Sequence, residues 1–109
     1  MTVEHLFNSS GAWIAYRVDQ TWVWSSDGKW IGWCPWPDDP GCVVTVQGKY
    51  LGHIVGDRLL RKSFEPYRGY PGYPGHPGHP GYPGYPGFAG YARPPLGMSD
   101  VPNAFLQGD

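Results

Sequence analysis

The chain has 109 residues, a formal net charge of −1 and an aromatic content of 17%, a size that makes one small domain. Up to Glu65 there are six Lys/Arg against seven Asp/Glu, so no basic stripe exists and a nucleic-acid footprint is excluded. No apolar run is long enough to span a bilayer, and the Met-Thr-Val-Glu-His start lacks the basic and apolar regions of a secretory signal. The default expectation is therefore a cytoplasmic protein, with an extracellular or cell-surface filament as the alternative.

Residues 1–65 hold all six tryptophans, both cysteines and nearly all the aliphatic side chains. Three stretches there repeat one pattern: Gly11-Ala-Trp-Ile-Ala-Tyr16, Gly28-Lys-Trp-Ile-Gly-Trp33 and Gly48-Lys-Tyr-Leu-Gly-His53, spaced 17 and 20 residues apart. Each follows a short β-rich run and a Gly-containing turn of the kind that closes a tight hairpin. The expected strands are 3–7, 12–18, 21–25, 29–34, 42–46, 49–55 and 58–64, with Asp19-Gln20 and Gly56-Asp57 as two-residue connections. Helix is disfavoured by the recurring Gly and the β-branched and aromatic residues. The expected fold class is all-β: a small antiparallel domain of three to four repeated β-hairpin units, followed by an extended polyproline-II-like tail. The strand beginning at Arg58 lacks a partner in its own unit, which Val101–Leu106 can return to supply; segment 93–109 is read as that returning piece.

Strict alternation puts Trp13 with Ala15, Trp30 with Gly32 and Tyr50 with Gly52 on one strand face, and Ile14, Ile31 and Leu51 on the other as the aliphatic core. The rings are either ordinary core or an exposed platform for a sugar or a proline-rich segment. Trp36, on the loop Pro35–Gly41, is the ring least explained by packing. Cys34 and Cys42 bracket that loop. A disulfide across its mouth is sterically reasonable, and two free thiols acting as small hydrophobes is the other reading.

The runs Phe7–Tyr16, Asp27–Trp33 and Gly48–Arg61 together resemble bacterial four-fold β-flower domain proteins, and Pro95–Val101 is similar to the ending of that family. The resemblance implies a domain of four similar β units around a pseudo-four-fold axis. The family has no established biochemical activity, so no functional residue transfers, and the cysteine pair is not part of the resemblance.

From Pro66 to Ala92 the chain is an array of Gly-X-Pro triplets, whose three-residue period is that of polyproline II. Proline fixes φ and removes an N–H, excluding helix and sheet. In that geometry Gly69, Gly72, Gly75, Gly78, Gly81, Gly84, Gly87 and Gly90 form one edge, suited to close packing against another backbone. The prolines form a second edge, and Tyr67, Tyr70, Tyr73, His76, His79, Tyr82, Tyr85, Phe88 and Tyr91 form a third. A straight rod of 66–92 would span about 80 Å. Such a composition also describes a disordered low-complexity tail. If ordered, a rod without internal hydrogen bonds needs neighbours, which points to self-association through the aromatic and glycine edges.

No catalytic set is present: the serines sit in turns, Asp38-Asp39 reads as a solvated turn, and no phosphate-binding loop occurs. His76 and His79 are expected as polar members of the aromatic row rather than as metal ligands, and no metal or cofactor is expected. The resulting expectation is a non-enzymatic structural protein whose tail packs against neighbouring copies in a homo-oligomer or filament, with another protein as a further tail partner. The alternative is a monomeric binding module whose exposed aromatics take a carbohydrate or a proline-rich ligand, with the tail as spacer.

Overall fold

A computed structural model of the chain describes residues 2–63 and 69–106. The expectations that fall on Phe64–Arg68, including Tyr67 and the 65/66 boundary, lie outside the described residues.

Eight strands follow one another in space as they do in sequence: β1 (Val3–Phe7), β2 (Trp13–Val18), β3 (Trp22–Ser25), β4 (Trp30–Trp33), β5 (Cys42–Val44), β6 (Tyr50–Val55), β7 (Arg58–Lys62) and β8 (Met98–Asp100). Neighbours are antiparallel, and a bridge between Phe7 and Arg58 joins β1 to β7, closing the sheet into a small barrel-like domain. The Phe7 N–H donating to the Asp57 carbonyl at 2.8 Å reinforces that seam. All-β architecture built from repeated hairpins is thus what the chain adopts. Asp19 and Gln20 both take positive φ (53° and 57°), as the two-residue turn between β2 and β3 requires.

Each unit is one hairpin. The fourth is β7 with β8, paired Leu60–Asp100, Arg61–Ser99 and Lys62–Met98. Its returning strand is Met98–Asp100, just ahead of the expected 101–106, because Pro102 has no N–H to continue a ladder. Val101 instead enters the core, and Asn103–Leu106 form a 3-10 turn whose Phe105 and Leu106 pack against it. The whole triplet array is therefore an insertion between the two strands of the fourth hairpin.

The core is assembled evenly, two buried residues per unit: Leu6 and Ala15, Val23 and Ile31, Val43 and Leu51, Leu59 and Val101. A β-bulge recurs in the first three units. Leu6 pairs with Ala15 but Phe7 with Trp13; Val23 with Gly32 but Trp24 with Trp30; Val43 with Gly52 but Val44 with Tyr50. Ile14, Ile31 and Leu51 are the extra residues. The bulge breaks strict alternation, so the aliphatic residue and the small residue after it both face inward. The aromatic at the head of each strand is turned outward, contrary to the expectation that it shares a face with the small residue. The small residue is needed because the next strand comes close: a Cβ on Gly32 would lie 2.3 Å from the Val44 carbonyl oxygen, and one on Gly52 2.6 Å from that of Leu60.

No disulfide joins Cys34 to Cys42, so the disulfide reading is corrected. Trp33 pairs with Val44, which sets Cys34 beside Val43 and packs it against the inner core. Cys42 precedes Val43 and pairs with His53, so it points to the opposite face. Two thiols on opposite faces of the sheet do not meet the geometry of a bridge.

Candidate functional site

The outward rings make a second apolar layer. Tyr16, Val18 and Trp24 are buried in it, with Val3, Trp13, Trp22 and Trp30 packed around them. The bulge positions the indoles: Trp13 Nε1 donates to the Ala15 carbonyl at 2.6 Å and Trp30 Nε1 to that of Gly32 at 2.9 Å. Tethered along their own strands, the indoles leave their remaining surfaces for a neighbour.

That neighbour is the triplet array, wound over the domain as a belt. Tyr70 lies over the Gly48 turn, where a Cβ would sit 2.5 Å from its ring. Tyr73 meets Trp30 edge-on at 5.9 Å, and His76 stands 5.1 Å from Trp30 and 5.9 Å from Trp24. His79 meets Trp24 at 5.0 Å and reaches the Gly28 turn. Tyr82 and Tyr85 flank Trp13 at 5.7 and 6.0 Å. The far end is fixed by polar contacts. Ala89 N–H donates to Gly11 O (2.9 Å), Ala92 N–H to Ser9 O (2.8 Å) and Arg58 Nη1 to Gly90 O (2.7 Å). Ser63 N–H donating to Gly97 O at 2.7 Å and the Asp100 carboxylate accepting from Ser9 N and Oγ close the fourth hairpin around it.

The expectation of a straight polyproline-II rod is corrected by this path. All eight array glycines take positive φ, from 77° to 92°, whereas polyproline II needs about −75°. Glycine tolerates either sign, so each triplet bends, and a molecule of 35 × 34 × 25 Å accommodates no 80 Å rod. Nor do these glycines serve close packing within the chain: a Cβ built on any of them meets nothing within 4 Å. The close approach belongs to the turns, where a Cβ on Gly11 would stand 2.4 Å from the Gly90 nitrogen. Pro71, Pro74, Pro77, Pro80 and Pro83 are half-buried, while Tyr70, Tyr73, His76, His79, Tyr82, Tyr85, Phe88 and Tyr91 remain exposed. The belt therefore lies proline side down, its rings splayed along the rim. His76 and His79 turn Nδ1 onto the Gly78 and Gly81 N–H groups (3.1 and 3.0 Å). Trp36 is half-buried on its loop, where its carbonyl accepts the Asp39 N–H at 3.1 Å.

A polar cluster that the sequence did not announce sits under the same loop. His53 Nε2 contacts Asp39 Oδ2 at 3.0 Å and Nδ1 contacts the Tyr50 hydroxyl at 2.8 Å, with Cys42 directly opposite His53 across the strands. Nearby, buried Arg17 is held by Glu4 at 2.9 Å and donates to Pro40 O at 2.9 Å and Cys34 Sγ at 3.7 Å. Burial raises the Cys34 thiol pKa above its ordinary value, the Arg17 cation offsetting only part of that. The available signal for this cluster was register: counting back from the Gly48 turn, with the one-residue bulge at Leu51 included, puts His53 opposite Cys42.

No helix among the described residues is long and apolar enough to cross a membrane. No protein-family model, curated protein or solved structure matches this chain.

Proposed function

We propose that this is a non-enzymatic structural protein that self-associates through the outer rim of its belt, as a homo-oligomer or a filament. The observation that carries the reading is the rim itself. Tyr70, Tyr73, Tyr82, Tyr85, Phe88 and Tyr91 are between 58% and 72% exposed, although the belt's inner side is already docked. A row of exposed rings of this extent on a small domain is a surface that a partner covers. A second copy suits it, because the outward tryptophans of this domain already accept such rings edge-on within one chain. The four hairpin units around a closed sheet support the resemblance to β-flower domains, with the belt as an addition in the last hairpin.

Phe88 and Tyr91 separate association from folding, since both are among the most exposed rings, at 69% and 72%. Sedimentation velocity on the full chain should show mass increasing with concentration, and the double variant Phe88→Ser/Tyr91→Ser should stay monomeric with an unchanged circular dichroism spectrum. A wild type that is monomeric at all concentrations, or a double variant that associates equally well, refutes the proposal. A second reading, a binding module for proline-rich segments, is favoured by one observation: the aromatic layer already holds a Gly-X-Pro array in cis. It requires a free Gly-Tyr-Pro peptide to bind in trans once the belt is loosened.

A further inference from the structure

We propose that Asp39, Cys42 and His53 form a site for a divalent transition metal of the zinc class. Their donor atoms, a carboxylate oxygen, a thiol sulfur and an imidazole nitrogen, all lie within 4.8 Å of one another. The proposal is independent of the association reading above.

The site is built by backbone, not by chance meeting of long side chains. Cys42 and His53 are register partners across β5 and β6, so their side chains rise on the same face. Asp39 is delivered by the proline-stiffened loop, which closes through Cys42 N–H to Asp39 O at 3.0 Å and docks on β6 through Ile54 N–H to Gly41 O at 2.8 Å. Gly41 permits that docking, since a Cβ there would lie 3.0 Å from the Ile54 oxygen. Cys42 and His53 are 1% and 6% exposed, and the half-exposed Asp39 side is the way in.

Geometry and donor type agree on the class of ion. Zinc-class bonds of roughly 2.0–2.3 Å put tetrahedral ligands about 3.3–3.8 Å apart. The Asp39 Oδ2–His53 Nε2 separation of 3.0 Å is already near that edge length. The sulfur must close by about 1.3 Å at most, within the reach of a side-chain torsion. A thiolate and an imidazole beside a single carboxylate disfavour calcium and magnesium, which take oxygen ligands. Three protein donors leave a fourth position facing the loop surface.

The protons balance. The Tyr50 hydroxyl oxygen accepts the Lys62 N–H at 3.0 Å and pairs with His53 Nδ1, while Nε2 pairs with Asp39, so the neutral ring can carry its proton on either nitrogen. With a metal at Nε2 the ring proton sits on Nδ1 and donates to the Tyr50 oxygen, whose own O–H turns away from the ring; the imidazole binds as a neutral ligand. The Cys42 thiol loses its proton to solvent. One thiolate and one carboxylate then neutralise the dication, so no net charge is buried. Tyr50 is thus a positioning residue that fixes the ring's rotation and serves either tautomer.

The test is cobalt(II) titration of the reduced, chelator-treated full chain. One equivalent should bind with a thiolate-to-cobalt charge-transfer band, intense tetrahedral visible bands and release of about one proton per metal. Zinc should displace the cobalt and raise the melting temperature. His76→Gln/His79→Gln and Cys34→Ser should keep the band. Cys42→Ser should abolish it, and Asp39→Asn and Tyr50→Phe should weaken binding by about 10–100-fold or more while the protein remains folded. Absence of a charge-transfer band in the wild type, or its survival in Cys42→Ser, overturns the proposal. If Cys42→Ser does not fold, the wild-type band and proton count together with Asp39→Asn decide the question, and unchanged affinity in Asp39→Asn overturns it.

Discussion

Gly11→Ala tests whether the belt is held where the contacts place it. Gly11 has φ 98° and its missing Cβ would fall 2.4–2.7 Å from the N, O and C atoms of Gly90, all backbone. The new methyl cannot be accommodated by rotating a side chain, so the belt must lift. Lifting it breaks Ala89 N–H to Gly11 O, Ala92 N–H to Ser9 O and the charged contact from Arg58 Nη1 to Gly90 O. At about 1 kcal/mol for each neutral bond and somewhat more for the charged one, their loss costs about 3 kcal/mol. A left-handed backbone adds about 1–2 kcal/mol for any residue with a Cβ. Gly56→Ala is the matched control, because Gly56 also has positive φ (63°) but a Cβ there meets nothing within 4 Å. Urea unfolding should therefore show Gly11→Ala destabilised by about 4–5 kcal/mol and Gly56→Ala by about 1–2 kcal/mol. Amide exchange should show Ala89 and Ala92 losing protection only in Gly11→Ala. Equal destabilisation of the two variants, with Ala89 and Ala92 unchanged, would refute the docking.

Three further outcomes follow from the interior. Tyr16 is fully buried and its hydroxyl has no hydrogen-bond partner among the described residues, so Tyr16→Phe should raise stability by about 1 kcal/mol in urea unfolding; a clear loss would reveal a partner. Gly32→Ala should destabilise by about 1–3 kcal/mol, since its methyl would push β4 from β5, which share the single bridge Trp33–Val44; wild-type stability would mean that the seam is slack. The Cys34 thiol is raised by burial, so the folded state holds that proton more tightly than the unfolded state. Its contribution is complete below the ordinary thiol range and is lost as pH climbs from there through the raised folded value. Cys34→Ser should flatten that alkaline decline in a pH series of melting temperatures, and an unchanged slope would exclude Cys34 as its source.

The hairpins could be read from the chain because each carries its own punctuation. Gly11, Gly28 and Gly48 mark turns, and Asp19-Gln20 marks a two-residue connection, all local conformational demands. The fourth hairpin showed only as an unpartnered strand at Arg58 and a returning C-terminal piece; its second strand, Met98–Asp100, was misplaced because it stands far along the sequence from Lys62, with the array between them, and Gly97 is a turn glycine cut off from its opening strand. The bulges were legible in principle: Ile14-Ala15, Ile31-Gly32 and Leu51-Gly52 are adjacent pairs, and strict alternation cannot send both members inward. The array misled for a different reason. Proline fixes its own φ, but the sign at glycine is left to tertiary context, and docking on Trp13, Trp24 and Trp30 selects the positive one. The Asp39–His53–Tyr50 chain needs partners from a loop and a strand, and a single-residue shift of register would erase it.

The anchoring of the belt at both ends bears on how copies of this protein would meet in the proposed association. Exchanging the belt between two molecules would require β8 to leave with it, because Met98–Asp100 follows the array directly and pairs with β7. Val101, 6% exposed and part of the inner core, would be extracted as well, and so would the Ser9–Asp100 contacts that hold the first turn against the fourth unit. Removal of one large aliphatic side chain from a core costs about 2–5 kcal/mol, before the three ladder pairs are considered. In a swapped pair the partner's β8 and Val101 would remake these contacts, so they set a barrier to exchange rather than a net cost. What a neighbour finds is the rim: rings spaced one per triplet, bent around the domain by the glycines, with the proline side already occupied. The proposed association through that rim would add surface contacts without unmaking the fold, so it should respond to Phe88 and Tyr91 and be indifferent to substitutions at β8 that leave the barrel closed.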